Sequence, residues 1–289
     1  MILNASGCLD ALTAPDVARE LDAFVTKTVT PRPRAGNEPV RIAETEVGML
    51  NSIGLANPGI DAFRQDVLPR LAELEIPIWV SVGGFSADDY GDLCRQLDEE
   101  SVVEAVELNL SCPNVAEPVG SVAEIVAAAR EPTSKKLYAK LSAAGGDVAS
   151  VAVAAAEAGA DGLSLVNTIR GLALDPESLA PTLSTGTGGL SGPALRPIAL
   201  AAVFACFKAT GLPIVGMGGV ETGRHALELI AAGASVCALG TVLFSDPEAP
   251  GRIRSELAAE AEALGFENPL DAHAVAHGDE APAPLRRVA

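Results

Sequence analysis

Aromatic residues are scarce in this chain, at 3% of 289 positions, with one Trp and two Tyr. A core must therefore be packed from small and branched aliphatics, which a chain of this length can do. Basic residues are outnumbered, 20 Lys and Arg against 38 Asp and Glu, for a net charge of −18. Such a surface disfavours nucleic acid and anionic membranes as partners, because both are polyanions. The opening MILNASG lacks the basic leader and long apolar run of a signal peptide. Elsewhere Gly, Pro or charge interrupts the apolar stretches before the length a membrane span needs. A soluble, cytoplasmic protein is expected. The five cysteines (Cys8, Cys94, Cys112, Cys206 and Cys237) form no CxxC pair and are odd in number. Neither a zinc site nor a disulfide framework fits that pattern, whereas a reducing compartment does. There is no linker and no low-complexity segment.

What the chain does have is a repeated alternation. Short runs rich in Val, Leu and Ile fall at 2–5, 23–28, 78–82, 105–110, 136–141, 162–166, 213–216 and 235–239. They are mostly unalternating, as strands covered on both faces should be. Helix patterns lie between them, at 15–21, 60–74, 86–100, 120–130, 147–158, 194–210, 222–232 and 248–263. Ser86 and Thr222 stand where N-caps belong, and Pro193 at a first turn. Eight βα units predict one closed (β/α)8 barrel over residues 1–276, followed by a frayed tail, 277–289. Two connections are long, 29–58 after strand 2 and 168–192 after strand 6. Loops of that length in a compact domain are often functional lids.

In such a barrel the site is built at the C-terminal ends of the strands. Those ends are polar in this sequence. In order they carry Ser6-Gly7, Lys27-Thr28, Ser81, then Asn109, Ser111, Cys112 and Asn114, then Lys140, Asn167-Thr168, Gly218-Gly219 and Gly240-Thr241. Glycine-rich ends after strands 7 and 8 let backbone N–H groups approach a phosphate, although tight turns alone can also demand glycine. Lysine is rarely buried without a partner. Lys27 and Lys140, each closing an apolar strand, suggest an anionic or electron-rich ligand, the alternative being lysines that snorkel to solvent. Cys112 lies in a strand-end loop among amides, while Cys94, Cys206 and Cys237 sit in helix or strand patterns that read as core. Cys8 is ambiguous. Thiol chemistry alone leaves Cys112 open as a structural cysteine or as a base. The three histidines, His225, His273 and His277, fall in a late helix and the tail, which disfavours a Cys–His dyad.

At ELNLSCPN (107–114) and KTVTPRPRAGNEPVRIAETEVGMLNSIGLANPG (27–59) the sequence resembles the dihydroorotate dehydrogenases of class 1, most of all the B subtype. YAKLS, LVNTIRG, GGLSGPALRP, GMGGVETG and ALGT follow in the same order, so the resemblance runs from about residue 2 to 264. It implies an FMN-binding barrel. The cofactor phosphate would rest on Gly218, Gly219, Gly240 and Thr241 with Gly192 nearby. Ser6, Lys27, Thr28, Asn109, Lys140 and Val166 would meet the rest of FMN. Dihydroorotate would be held by Lys27, by Asn51, Ser52, Ile53, Gly54 and Leu55, and by Asn109, Asn114, Asn167 and Thr168. Amide side chains suit a cyclic diamide because each offers both donors and an acceptor. The implied reaction is oxidation to orotate, a step of UMP synthesis, with hydride from C6 to FMN and the C5 proton to Cys112. No metal is implied.

The resemblance also bears on partners. The B subtype passes electrons through a separate iron–sulfur/FAD subunit to NAD, and this chain has neither a dinucleotide fingerprint nor a cysteine cluster of its own. A homodimer is expected. Three alternatives remain: a fumarate-dependent class 1 homodimer, a dihydropyrimidine dehydrogenase-like enzyme, and a catalytically silent flavin-binding subunit. The sequence departs from the family where Ser81 replaces an Asn near the flavin, and where Ala143-Ala144-Gly145-Gly146 replaces a Pro-containing turn.

Overall fold

The computed structural model describes residues 1–110, 120–280 and 282. In chain order they form β1 (Ile2–Asn4), α1 (Pro15–Arg19), β2 (Phe24–Val25), β3 (Ile42–Thr45) and β4 (Gly48–Asn51). A continuous helical stretch follows, α2 (Ile60–Ala62), a π turn (Phe63–Val67) and α3 (Leu68–Ala72). Next come β5 (Ile78–Val82), α4 (Ala87–Asp98), β6 (Val103–Asn109), α5 (Val122–Arg130), β7 (Lys136–Ser142), α6 (Val148–Glu157) and β8 (Gly162–Asn167). The chain ends with β9 (Ile169–Gly171), β10 (Gly188–Ser191), α7 (Arg196–Thr210), β11 (Ile214–Met217), α8 (Gly223–Ala231), β12 (Val236–Leu239) and α9 (Ala249–Ala263).

Eight of these strands make one parallel sheet in the order β1-β12-β11-β8-β7-β6-β5-β2. It curls until β2 meets β1, so the predicted (β/α)8 barrel is what the chain forms. The meeting edge is thin, with a single main-chain bridge, Leu3 to Ala23. A side chain completes it. The Asn4 amide donates to Val25 O at 2.7 Å and accepts from Val25 N at 2.8 Å, replacing a rung of the ladder. Asp22 adds a carboxylate that accepts from Ile2 N at 2.6 Å and pairs with Arg254 of α9 at 3.2 Å. The expected strand 23–28 shrinks to two residues here because Thr26 and Thr28 turn toward β5 and the mouth.

Two cores follow from the two faces of the sheet. Outside, Val80, Val106, Leu137, Leu163 and Leu165 pack against Leu93, Leu97, Ile125, Ala152 and Ala199 of the helices. Inside, Leu3, Val25, Ala105, Val215 and Ala238 surround Trp79, which lies 4.4 Å from the Tyr138 ring. Few aromatics are needed because these two rings fill the floor of the barrel. Two helix starts behave as their sequences predict, with Ser86 capping α4 and Thr222 capping α8, and Ser121 with Glu124 adds a capping box on α5.

Three expectations change. The long connections 29–58 and 168–192 are more than loops, since they pair with each other as a four-stranded antiparallel sheet, β3-β4-β10-β9. It has its own small core of Ala43, Leu50 and Leu183. The run Pro193–Thr210 does reach the length and hydropathy of a membrane span, with a mean hydropathy of 1.3. It forms a short 3-10 turn and α7, and buries Ala199, Ala202, Val203, Cys206 and Phe207 against the barrel. Packing also reaches residue 277, the first of the expected tail. His277 is buried, stacks on Phe204 at 4.0 Å, and has Nε2 3.0 Å from Ala232 O.

Candidate active site

At the C-terminal ends of the barrel strands lies a cavity of about 290 Å³, roofed by the four-stranded sheet. Its walls come from nearly every strand end. Ser6, Lys27, Thr28, Asn109, Lys140, Val166, Asn167 and Thr168 line it from the barrel. Asn51, Ile53, Gly54 and Leu55 line it from the roof, and Gly192, Gly218, Gly219, Gly240 and Thr241 close one end. These residues are spread over more than 230 positions of sequence, and the fold brings them to one surface.

The polar walls are held by a chain of side-chain hydrogen bonds that crosses strand after strand. Ser6 Oγ donates to Thr26 O at 2.9 Å and lies 3.4 Å from Thr28 Oγ1. Asn109 Nδ2 donates to Thr28 Oγ1 at 3.1 Å, and Asn167 Nδ2 donates to Asn109 Oδ1 at 3.1 Å. Asn167 Oδ1 then accepts from Thr168 N at 2.8 Å. Tyr90 of α4 fixes the end of β6 by donating to Asn109 O at 2.7 Å. Each amide is thereby locked in one orientation with only its remaining capacity facing the cavity. Ser81 stands behind this row, fully buried, with Oγ 3.1 Å from Thr28 Oγ1. It supports Thr28 and does not reach the cavity.

The opposite end is made of main chain. Gly219 has φ +69°, and a Cβ there would lie 2.8 Å from Gly192 O and 2.9 Å from Arg196 Cβ. No other residue fits without moving backbone, so the chain presents bare peptide at this corner. Thr241 Oγ1 donates to Ser191 Oγ at 2.8 Å, tying the barrel to the roof beside it. A cradle that a side chain would fill, next to hydroxyls, has the shape and donors a phosphate needs. At the other side Lys27 lies across Gly7, where a Cβ would come within 2.7 Å of Lys27 Cδ.

The roof loop NSIGL is scaffolded from outside. Asn57 accepts from Thr30 N and Gly59 N and donates to Leu55 O at 2.7 Å. Ser52 departs from its expected place. Its side chain points away from the cavity, accepting from Asn37 Nδ2 at 2.8 Å and lying 2.7 Å from Thr185 Oγ1. Its N–H is also taken, by Arg41 O at 2.7 Å. Cys112 and Asn114 fall outside the described residues.

Two contributors escaped the sequence reading. Cys8 lines the cavity. Burial pushes its thiol up, while the nearby ammonium groups of Lys140 and Lys27 pull it down and Glu107 pushes it further up. Glu107 is the second. Its carboxylate is buried beneath the cavity with Oε1 3.2 Å from Lys140 Nζ. A charge in a strand covered on both faces, with a lysine on the next strand, was the available signal. Cys94, Cys206 and Cys237 are core residues as expected, their thiols pushed up to about 12 by burial.

An eight-stranded parallel barrel with an amide- and ammonium-lined cavity over its strand ends is the build of a barrel enzyme. The sequence profile of the dihydroorotate dehydrogenase family matches residues 1–260, and the chain belongs to that family of oxidoreductases. It is 45% identical over 245 residues to the dihydroorotate dehydrogenase B (NAD(+)) catalytic subunit of Desulforudis audaxviator, covering 82% of this chain and 80% of that one. It is 40% identical over 282 residues to the protein of the same name from Listeria monocytogenes, covering 93% and 92%. Among solved structures it is similar to Eimeria tenella dihydroorotate dehydrogenase in complex with ferulenol. That match has a TM-score of 0.78 at 25% identity and covers 96% of this chain and 85% of the other.

Proposed function

We propose that this chain is the FMN-binding catalytic subunit of an NAD-linked enzyme that oxidises (S)-dihydroorotate to orotate for UMP synthesis. The observation that carries the reading is the locked amide row Thr28–Asn109–Asn167, facing a main-chain corner across one cavity. The donor set suits FMN. Gly192, Gly218, Gly219, Gly240 and Thr241 would take its phosphate, and Ser6, Lys27, Thr28, Asn109, Lys140 and Val166 the remainder. When bound, FMN supplies the acceptor for the hydride from substrate C6.

The chain's own residues do the rest. Asn51, Asn109, Asn114, Asn167 and Thr168 present donors and acceptors to the edges of the diamide ring. Lys27 and the Ile53-Gly54-Leu55 segment face the substrate carboxylate, and Ser52 acts by holding that segment against Asn37 and Thr185. Cys112 Sγ accepts the C5 proton. The roof covers the cavity, and a covered site would favour direct proton transfer from substrate to a thiolate over exchange with solvent. We propose an iron–sulfur/FAD subunit as the exit for electrons; the names of the Desulforudis and Listeria relatives, NAD(+) catalytic subunits, support a separate partner and NAD as acceptor. We place the complex in the cytoplasm and build it on a homodimer.

Anaerobic addition of dihydroorotate to the purified yellow chain tests the proposal. The flavin absorbance should bleach, and NAD should restore it only with the partner subunit present. Absorbance that stays unchanged, or that dihydrouracil bleaches equally well, overturns the substrate. Reoxidation by fumarate alone overturns the NAD-linked route.

A further inference from the structure

We infer that Glu107 is a positioning residue for the cofactor site: its carboxylate holds the Lys140 ammonium at the cavity floor and offsets its charge there. The inference rests on the FMN reading above. Glu107 and Asn109 alternate onto the same interior face of β6, and Lys140 stands opposite Asn109 in the β6–β7 register. Lys140 lines the cavity whereas Glu107 does not. The pair is therefore layered, with the cation toward the ligand and the anion behind it. Side-chain exposure is 7% for Lys140 and 2% for Glu107, so neither charge is screened by water. The ladder neighbours of Glu107 are Ser81 and Tyr138, and the Trp79–Tyr138 aromatic floor lies below.

Stability does not explain such a pair. Apolar residues of similar volume at a buried ion pair are commonly as stable or more so. What the pair does supply is a charge of controlled strength at one point. An isoalloxazine ring gains negative charge when it is reduced, so a bare ammonium at the floor would favour the reduced form. A carboxylate 3.2 Å behind that ammonium weakens its field at the cavity. NAD is a weak oxidant, and a site that held the reduced form too firmly would not release electrons toward it. Glu107 thus sets the flavin potential low while keeping Lys140 in place.

The test is the two-electron midpoint potential of FMN bound to the purified chain, measured by dye-linked spectroscopic titration. In Glu107→Gln the potential should rise by about 30 mV or more, which is a tenfold gain in relative affinity for the reduced form. In Lys140→Met it should fall. A merely structural defect would not drive the two variants in opposite directions. A potential in Glu107→Gln equal to or below wild type overturns the inference. Should that variant fail to fold, Glu107→Asp keeps the charge but withdraws it by one methylene, and its potential should rise by a smaller amount. A value equal to wild type then overturns the inference. A wild-type chain that binds no FMN defeats the cofactor reading itself. A wild type that binds FMN and is bleached by dihydroorotate, with no shift in the variants, defeats only the role of Glu107.

Discussion

At the β11–β12 end of the cavity the chain offers backbone: Gly218, Gly219 and Gly240 lie bare, and Gly219 has no room for a Cβ beside Gly192 O. At the β6–β8 end it offers side chains, each amide and hydroxyl held by the next strand's neighbour. The difference teaches how the two tasks divide. On the proposed reading a phosphate would be held there by peptide groups, and at Gly219 the shape admits only glycine, so that corner is intolerant of an added atom. A planar ring would be read, on the same reading, by side chains whose orientations depend on one another, so that end should fail by degrees.

The comparison can be pressed hardest at the proposed base. Cys112→Ser should slow anaerobic flavin reduction by dihydroorotate about 10²- to 10⁴-fold at neutral pH, while FMN stays bound. Stopped-flow absorbance reads the rate, and an unchanged rate removes Cys112 from the chemistry. Next comes the glycine end. Gly219→Ala forces a left-handed non-glycine residue, at about 1–2 kcal/mol, against a carbonyl that must move. FMN affinity in a fluorescence titration should drop roughly 30-fold, with little effect on orotate binding to whatever holoprotein remains. At the amide end, Lys27→Ala should weaken orotate binding about tenfold through loss of one charged hydrogen bond, and should shift the flavin spectrum. Equal affinity and spectrum would remove Lys27 from the substrate and flavin contacts.

The smallest effect lies outside the cavity, at the seam between β1 and β2. Burial pushes the Asp22 carboxyl up, but the Ile2 N–H and Arg254 outweigh it and hold the group below its ordinary 3.8. A lowered folded-state value means stability that is fully present above 3.8 and lost as pH falls through the lower value. The carboxyl is partly exposed, which reduces the effect to about 1 kcal/mol. Asp22→Asn should lower the melting temperature near pH 7 by roughly 2 °C, and the gap to wild type should close as pH drops below about 4. A gap that does not vary with pH would deny the charge its role.

Most of the barrel was legible because buried parallel strands leave an unmistakable mark, apolar runs without alternation and helix caps such as Ser86 and Thr222 between them. The strand-end residues were legible for a related reason, since polar groups at the close of apolar runs have few other uses. The roof was not. Gly48–Asn51 and Gly188–Ser191 are glycine-rich strands without a period-2 pattern, and each finds its partner in a distant excursion. Glu107 was hidden inside the stretch that drew most notice, because a carboxylate between Val106 and Leu108 means little until Lys140 is seen to lie across from it. Asn4 was missed likewise: a single amide in an apolar strand becomes meaningful only once the sheet has closed on itself.

The roof has a consequence in time as well as in space. Asn51 Nδ2 donates to Gly189 O across 138 residues, and β4 has no second neighbour until β10 exists. Pairings so far apart in the chain form slowly and come after local ones. On the ribosome, β4 must wait through the synthesis of four more barrel strands before its partner emerges. The cavity is therefore among the last parts of the molecule to be completed, and a nascent chain gains its covered site only once two-thirds of its length has been made.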